Sequence, residues 1–222
     1  MQNTLTIFQD RKEELEIYYT VILDLDGGFL TLETANNSRF LKILKSNYIL
    51  MLYNLVEACI VSGMLEIYES LKNESCTYLE VTKEIQDMWR KHQISQVYGP
   101  VTAQITYQNR VKRIVDDITQ KNPLVLTRDV LRISGNLDAK KIKEICDYHK
   151  IRYVATDRQA VLLEVKNKRN DLAHGDVSFS DCARDLTMSD LENIKIAVTD
   201  FIQGILTGME KYYNEKGYLA TS

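Results

Sequence analysis

The chain has 222 residues, a net charge of -3, nine glycines and two prolines. That length can bury a sizeable core as one large domain or two small ones, and so few breakers favour long helices. The mildly acidic balance excludes a globally basic nucleic-acid binder, so any such role must rest on a local patch.

Residues 1–10 are polar and residues 10–16 charged, unlike a secretory leader. Ile7, Leu15, Tyr18, Tyr19, Ile22 and Leu25 recur at helical spacing and predict a first helix over residues 6–25. Gly27-Gly28 ends it. The longest helix is expected over residues 38–72, with Leu41, Leu44, Tyr48, Leu52, Leu55, Cys59 and Ile67 on its main stripe. Within it, residues 48–65 are almost continuously apolar and near membrane-spanning length. Asn54 and Glu57 sit in the middle of that run, and a mid-bilayer acid costs about 2.5–3.5 kcal/mol. Lys42, Lys45, Glu66 and Glu69 flank it, so the reading is the buried central helix of a soluble bundle, with no membrane span.

A third helix is expected over 78–92, followed by a break at Gly99-Pro100. A fourth over 101–121 carries Arg110, Lys112 and Arg113 on one side, and Asn122-Pro123 ends it. Residues 124–133 read equally as a short strand or a helical turn. Gly135-Asn136 marks a turn, and a short helix over 138–149 follows. The next helix spans 156–173 with Gly175 as its stop. Ser189-Asp190-Leu191-Glu192 has the form of a capping box opening a last long helix to about residue 216. The expected architecture is all-α: an up-and-down helical bundle in one domain, 1–222. A helical insertion at about 74–135 leaves room for one short strand pair.

The four cysteines, Cys59, Cys76, Cys146 and Cys182, contain no Cys-x-x-Cys pair. This argues against zinc and thioredoxin-type chemistry and fits reduced thiols in a cytoplasm. Asp24 and Asp26 stand alone, and Asp116-Asp117 face different sides of a helix, so no metal and no cofactor is expected. His92 and His149 lie at polar helix ends and read as solvated surface residues.

His174 is different, because it closes the run Lys166-Asn167-Lys168-Arg169-Asn170-Asp171-Leu172-Ala173-His174-Gly175. Leu162, Val165, Arg169 and Leu172 share a helix face, which puts Arg169 on the apolar stripe. A guanidinium there must be paired or face a polar cavity, and Glu57 on the central helix is the candidate partner. Asn170 lies one turn before His174 on the same face. Arginine holds a phosphate bidentately and stabilises charge on its oxygens, while histidine moves protons near neutrality. The 2′-OH of RNA is a built-in nucleophile, so an Arg and a His suffice for phosphodiester cleavage without a metal. The Arg-x4-His spacing is a weak signal alone, and the residues around it decide.

Those residues resemble a family. Arg169-Asn170-Asp171-Leu172-Ala173-His174-Gly175 is similar to the Arg-polar-x3-His signature of HEPN domains (higher eukaryotes and prokaryotes nucleotide-binding). Leu52-Tyr53-Asn54-Leu55-Val56-Glu57, Gly135-Asn136-Leu137-Asp138-Ala139-Lys140-Lys141-Ile142, and Ser178-Phe179-Ser180-Asp181 with Arg184-Asp185 resemble the stand-alone bacterial MAE-type branch. The resemblance implies a two-fold homodimer with the motifs facing each other across a cleft. It also implies a metal-independent endoribonuclease of the toxin or antiphage type, acting on RNA (tRNA among the candidates) in the cytoplasm, with a cognate antitoxin or defence partner. Carried over, Arg169, His174 and Asn170 would be catalytic, Glu57 and Asn54 would position Arg169, and Lys166 and Lys168 would attract the RNA backbone. Asp176 stands where some such toxins carry a modifiable Tyr, so neutralisation by nucleotidylation at that position is not expected. The alternative is a catalytically inactive HEPN module that binds nucleotide, RNA or a partner.

Overall fold

The computed structural model describes residues 1–33, 36–95, 104–131, 133, 135–154 and 158–220. Among these, the chain forms nine helices and no sheet: α1 (Gln2–Asp26), α2 (Asn37–Asn73), α3 (Lys83–Ser95), α4 (Gln104–Thr119), α5 (Arg128–Leu131), α6 (Ala139–His149), α7 (Ala160–His174), α8 (Phe179–Cys182) and α9 (Met188–Asn214).

The 37-residue α2 organises the bundle. Asn36 caps it, its side chain accepting from the Arg39 N–H at 3.0 Å. Tyr48, Leu52, Leu55, Cys59, Ile60 and Ile67 along it are fully buried. Helices α1, α7, α8 and α9 pack around them. It is the one described helix long and apolar enough to cross a membrane, and 61% of that apolar window is buried inside the protein. The acid that follows the apolar run is also satisfied internally. Glu66 receives the Met1 amino group at 3.1 Å and the Thr4 N–H at 2.9 Å, which ties the start of α1 to the C-terminal part of α2.

Several expectations shift. α3 starts at Lys83 rather than near Tyr78, because the preceding residues are held in a turn. The Thr77 N–H and hydroxyl both donate to Glu80, and the Thr82 N–H donates to the Tyr218 carbonyl at 2.9 Å. Within the ambiguous stretch the helical turn is what forms among the described residues: residues 124–127 are irregular, and α5 is one helical turn. The expected strand pair reduces, among the described residues, to the isolated bridges Thr77↔Pro123 and Val81↔Leu219. Gly99-Pro100 lies outside the described residues. The last helix is capped two residues before the expected box: Thr187 and Asp190 bond reciprocally, and Ser189 already lies in the first turn.

His149 is the clearest correction. It is buried, not solvated, because α6 turns its last residue inward against α2. Its Nδ1 lies 2.7 Å from the Ile145 carbonyl, which can only accept. Nδ1 therefore carries the proton, and Nε2 accepts from the Tyr68 hydroxyl at 2.9 Å. Burial holds this imidazole below its ordinary value, against the Ile145 bond.

Candidate active site

The inner side of α7 is set by Leu162, Val165 and Leu172, all buried. Arg169 shares that side, as the periodicity predicts, and its guanidinium lies over the Tyr53 ring at 4.8 Å from the centroid. One guanidinium N–H donates to the Asn170 side-chain oxygen at 3.0 Å, and the Asn170 amide donates to Asn136 at 2.9 Å. Gly135 completes the enclosure. It sits at φ +69°, and a Cβ there would lie 3.0 Å from Nη2 of Arg169. Tyr53 is fixed in turn, its hydroxyl accepting the Leu137 N–H at 3.1 Å. Three segments far apart in the chain, on α2, in the loop before α6 and on α7, thus converge on one cation.

The expected Glu57–Arg169 pair is not what holds it. Glu57 pairs with Arg128 of α5 at 3.6 Å, and the Tyr53 ring takes its place beside Arg169. Burial raises the Tyr53 phenol above its ordinary value, against the Leu137 N–H; Glu57 adds to the rise and Arg169 opposes it. The ion pair found for Glu57 among the described residues is thus with Arg128, not with Arg169. Asn54 is exposed, and with Glu57 and Arg128 it lines an open groove of about 590 Å³ that continues to Arg11 and Glu69.

The lysines expected at the RNA backbone have partners within the chain. Lys166 reaches Asp138 at 2.8 Å, with both side chains largely covered. Burial alone would raise the Asp138 carboxyl, but Lys166 and the Lys141 N–H that it caps hold it below the ordinary range. Lys168 donates to the Cys182 carbonyl at 3.0 Å and lies 3.9 Å from Glu164. The first clamps α7 to α6 and the second clamps it to α8.

His174 is the last residue of α7 and is exposed. Gly175 ends the helix in the left-handed conformation, φ +77°. Among the described residues no hydrogen bond joins His174 to Arg169 or Asn170. Tyr53, Gly135 and Asn136 lay inside stretches singled out in the sequence, but nothing in their spacing marked them as the seat of Arg169.

An all-α bundle whose central helix and penultimate long helix enclose an Arg-Asn-x3-His motif is the architecture of a HEPN domain. The model of the MAE_28990-like HEPN family matches residues 2–218, and the chain belongs to that family. No curated protein and no solved structure matches it. Membership makes the chain a module of nucleotide- or RNA-related type.

Proposed function

We propose that the chain is a metal-independent endoribonuclease of toxin or antiphage type. The observation that carries this reading is the seating of Arg169. It rests on an aromatic face, a glycine and a carboxamide, and among the described residues no carboxylate pairs with it. A cation placed so remains available to a phosphate. In the proposed reaction a base takes the 2′-OH proton as that oxygen attacks phosphorus. The P–O5′ bond breaks and an acid gives O5′ a proton, leaving a 2′,3′-cyclic phosphate and a 5′-OH. His174 serves as base or acid, Arg169 stabilises charge on the phosphoryl oxygens, and Asn170 orients the guanidinium.

The second reading, a HEPN module that holds nucleotide or RNA without cutting it, is favoured by the lack of any bond between His174 and the Arg169–Asn170 pair. The test is cleavage of total RNA and tRNA in EDTA by the wild type, His174→Ala and Arg169→Ala. Cyclic-phosphate ends are expected from the wild type. Loss of the proton shuttle should slow cleavage by about 10²–10⁴. RNA that all three proteins bind but leave intact would sink the nuclease reading in favour of the binding module.

A further inference from the structure

A second cavity lies away from Arg169. It occupies about 350 Å³ between the end of α2, α3, α5 and α6, at the low end of the roughly 300–1,000 Å³ typical of small-molecule sites. Its walls are apolar, formed by Met88, Val130, Leu131 and Ile145. The Tyr68–His149 pair lies at the buried side. With its proton given to His149, the Tyr68 oxygen keeps acceptor capacity. One edge presents the half-exposed ring of Tyr148 with the Lys91 ammonium 5.7 Å from its centroid. Lys141 stands on the same rim, its 3.5 Å pair with Glu144 exposed and therefore weak. His92 lines the cavity as well.

From this lining we infer a binding site for a small planar aromatic anion. The apolar walls and the Tyr148 face take a flat ring. Lys91 and Lys141 outnumber Glu144 at the rim and take one phosphate or carboxylate. The Tyr68 oxygen accepts from a ring amine or N–H. A neutral ring lacks the rim contact, and a bare anion lacks the walls. The site shares no lining residue with the cradle of Arg169, so it stands or falls apart from the nuclease reading.

Two compounds carry this chemistry from different sources: adenosine monophosphate, a nucleotide, and indole-3-carboxylate, an aromatic acid. Calorimetric titration of the full chain with each, and with adenosine and inorganic phosphate, reads the site directly. At least one aromatic anion is expected to bind saturably, with adenosine and phosphate each weaker by about tenfold, the equivalent of one charge-assisted contact. Lys91→Met and Tyr148→Ala, both at the exposed rim, should each weaken binding by about tenfold, and Glu144→Gln should tighten it. Which of the two compounds binds identifies the source. The inference is overturned if neither binds saturably. It is equally overturned if binding survives Lys91→Met and Tyr148→Ala but vanishes in Arg169→Ala, which would place the ligand at the other site.

Discussion

At the scale of single residues, the site depends on how narrowly Arg169 is held. A guanidinium over a phenol ring gains about 0.5–2 kcal/mol according to how dry the contact is. That is enough to bias an orientation but not to enforce one against a neighbour that intrudes. Gly135 is that neighbour, since a methyl group there would meet Nη2 at 3.0 Å on a backbone already at positive φ. The conformation alone should cost an alanine about 1–2 kcal/mol, a fall of only a few degrees in melting temperature for a chain of this size. Displacing the guanidinium by a fraction of an ångström should cost far more in rate, up to about 10². Gly135→Ala is therefore expected to melt slightly early and cleave RNA very slowly. A variant that cleaves at the wild-type rate would show that Gly135 does not seat Arg169. The periodicity of α7 was enough to place Arg169 on its inner side, because Leu162, Val165 and Leu172 recur at helical spacing and are buried. The identity of its support was not legible. Tyr53 and Gly135 meet Arg169, and Asn136 meets Asn170, only through tertiary packing, which leaves no period in the chain. For the same reason Lys166 was expected at the RNA backbone although Asp138 waits for it 28 positions earlier.

Among the elements, legibility follows length. The extent of α2 was readable almost to the residue, because a long apolar stripe and an Asn cap act together. The short pieces between residues 74 and 135 were not, since their limits depend on contacts with the C-terminal tail and with α6. The end of α6 was misread because Tyr148-His149-Lys150 is polar in composition, and composition says nothing of which side faces α2. That burial has a measurable consequence. The imidazole of His149 is held below its ordinary value of 6.5. At a pH below 6.5 the unfolded chain binds a proton there that the folded chain refuses, so its contribution to stability is complete above that value and is lost as the pH falls below it. The wild-type melting temperature should therefore drop between pH 7 and pH 5 more steeply than that of His149→Gln, which keeps a donor and an acceptor but does not titrate. Glu66 and Asp138, both held low, titrate beneath this window and leave the comparison clean. Parallel slopes for the two proteins would mean that His149 accepts its proton in the folded state.

For the molecule as a whole, helix geometry separates the two groups that the reaction needs together. At about 3.6 residues per turn, the four positions from Asn170 to His174 leave them within about 40° of each other, but the five from Arg169 to His174 rotate the side chains about 140° apart. Arg169 accordingly turns in toward Tyr53 while His174 faces solvent at the end of α7. One copy offers a seated cation and an outlying imidazole. A two-fold axis beside the end of α7 would be self-complementary and would bring His174 of one copy toward Arg169 of the other, forming two equivalent sites at once. The proposed nuclease should therefore be a homodimer, with a mass by light scattering of twice 25.7 kDa. Mixing His174→Ala with Arg169→Ala takes the argument further. Each variant alone should be strongly slowed, but heterodimers that pair residues across the axis would contain one intact site, so about a quarter of wild-type activity should return if subunits exchange at random, half the dimers being mixed and each holding one site of two. A monomeric protein that cleaves RNA, or a dimer whose mixed variants stay silent after subunit exchange has been verified, would mean that His174 and Arg169 act within a single chain and that α7 must rearrange when RNA binds.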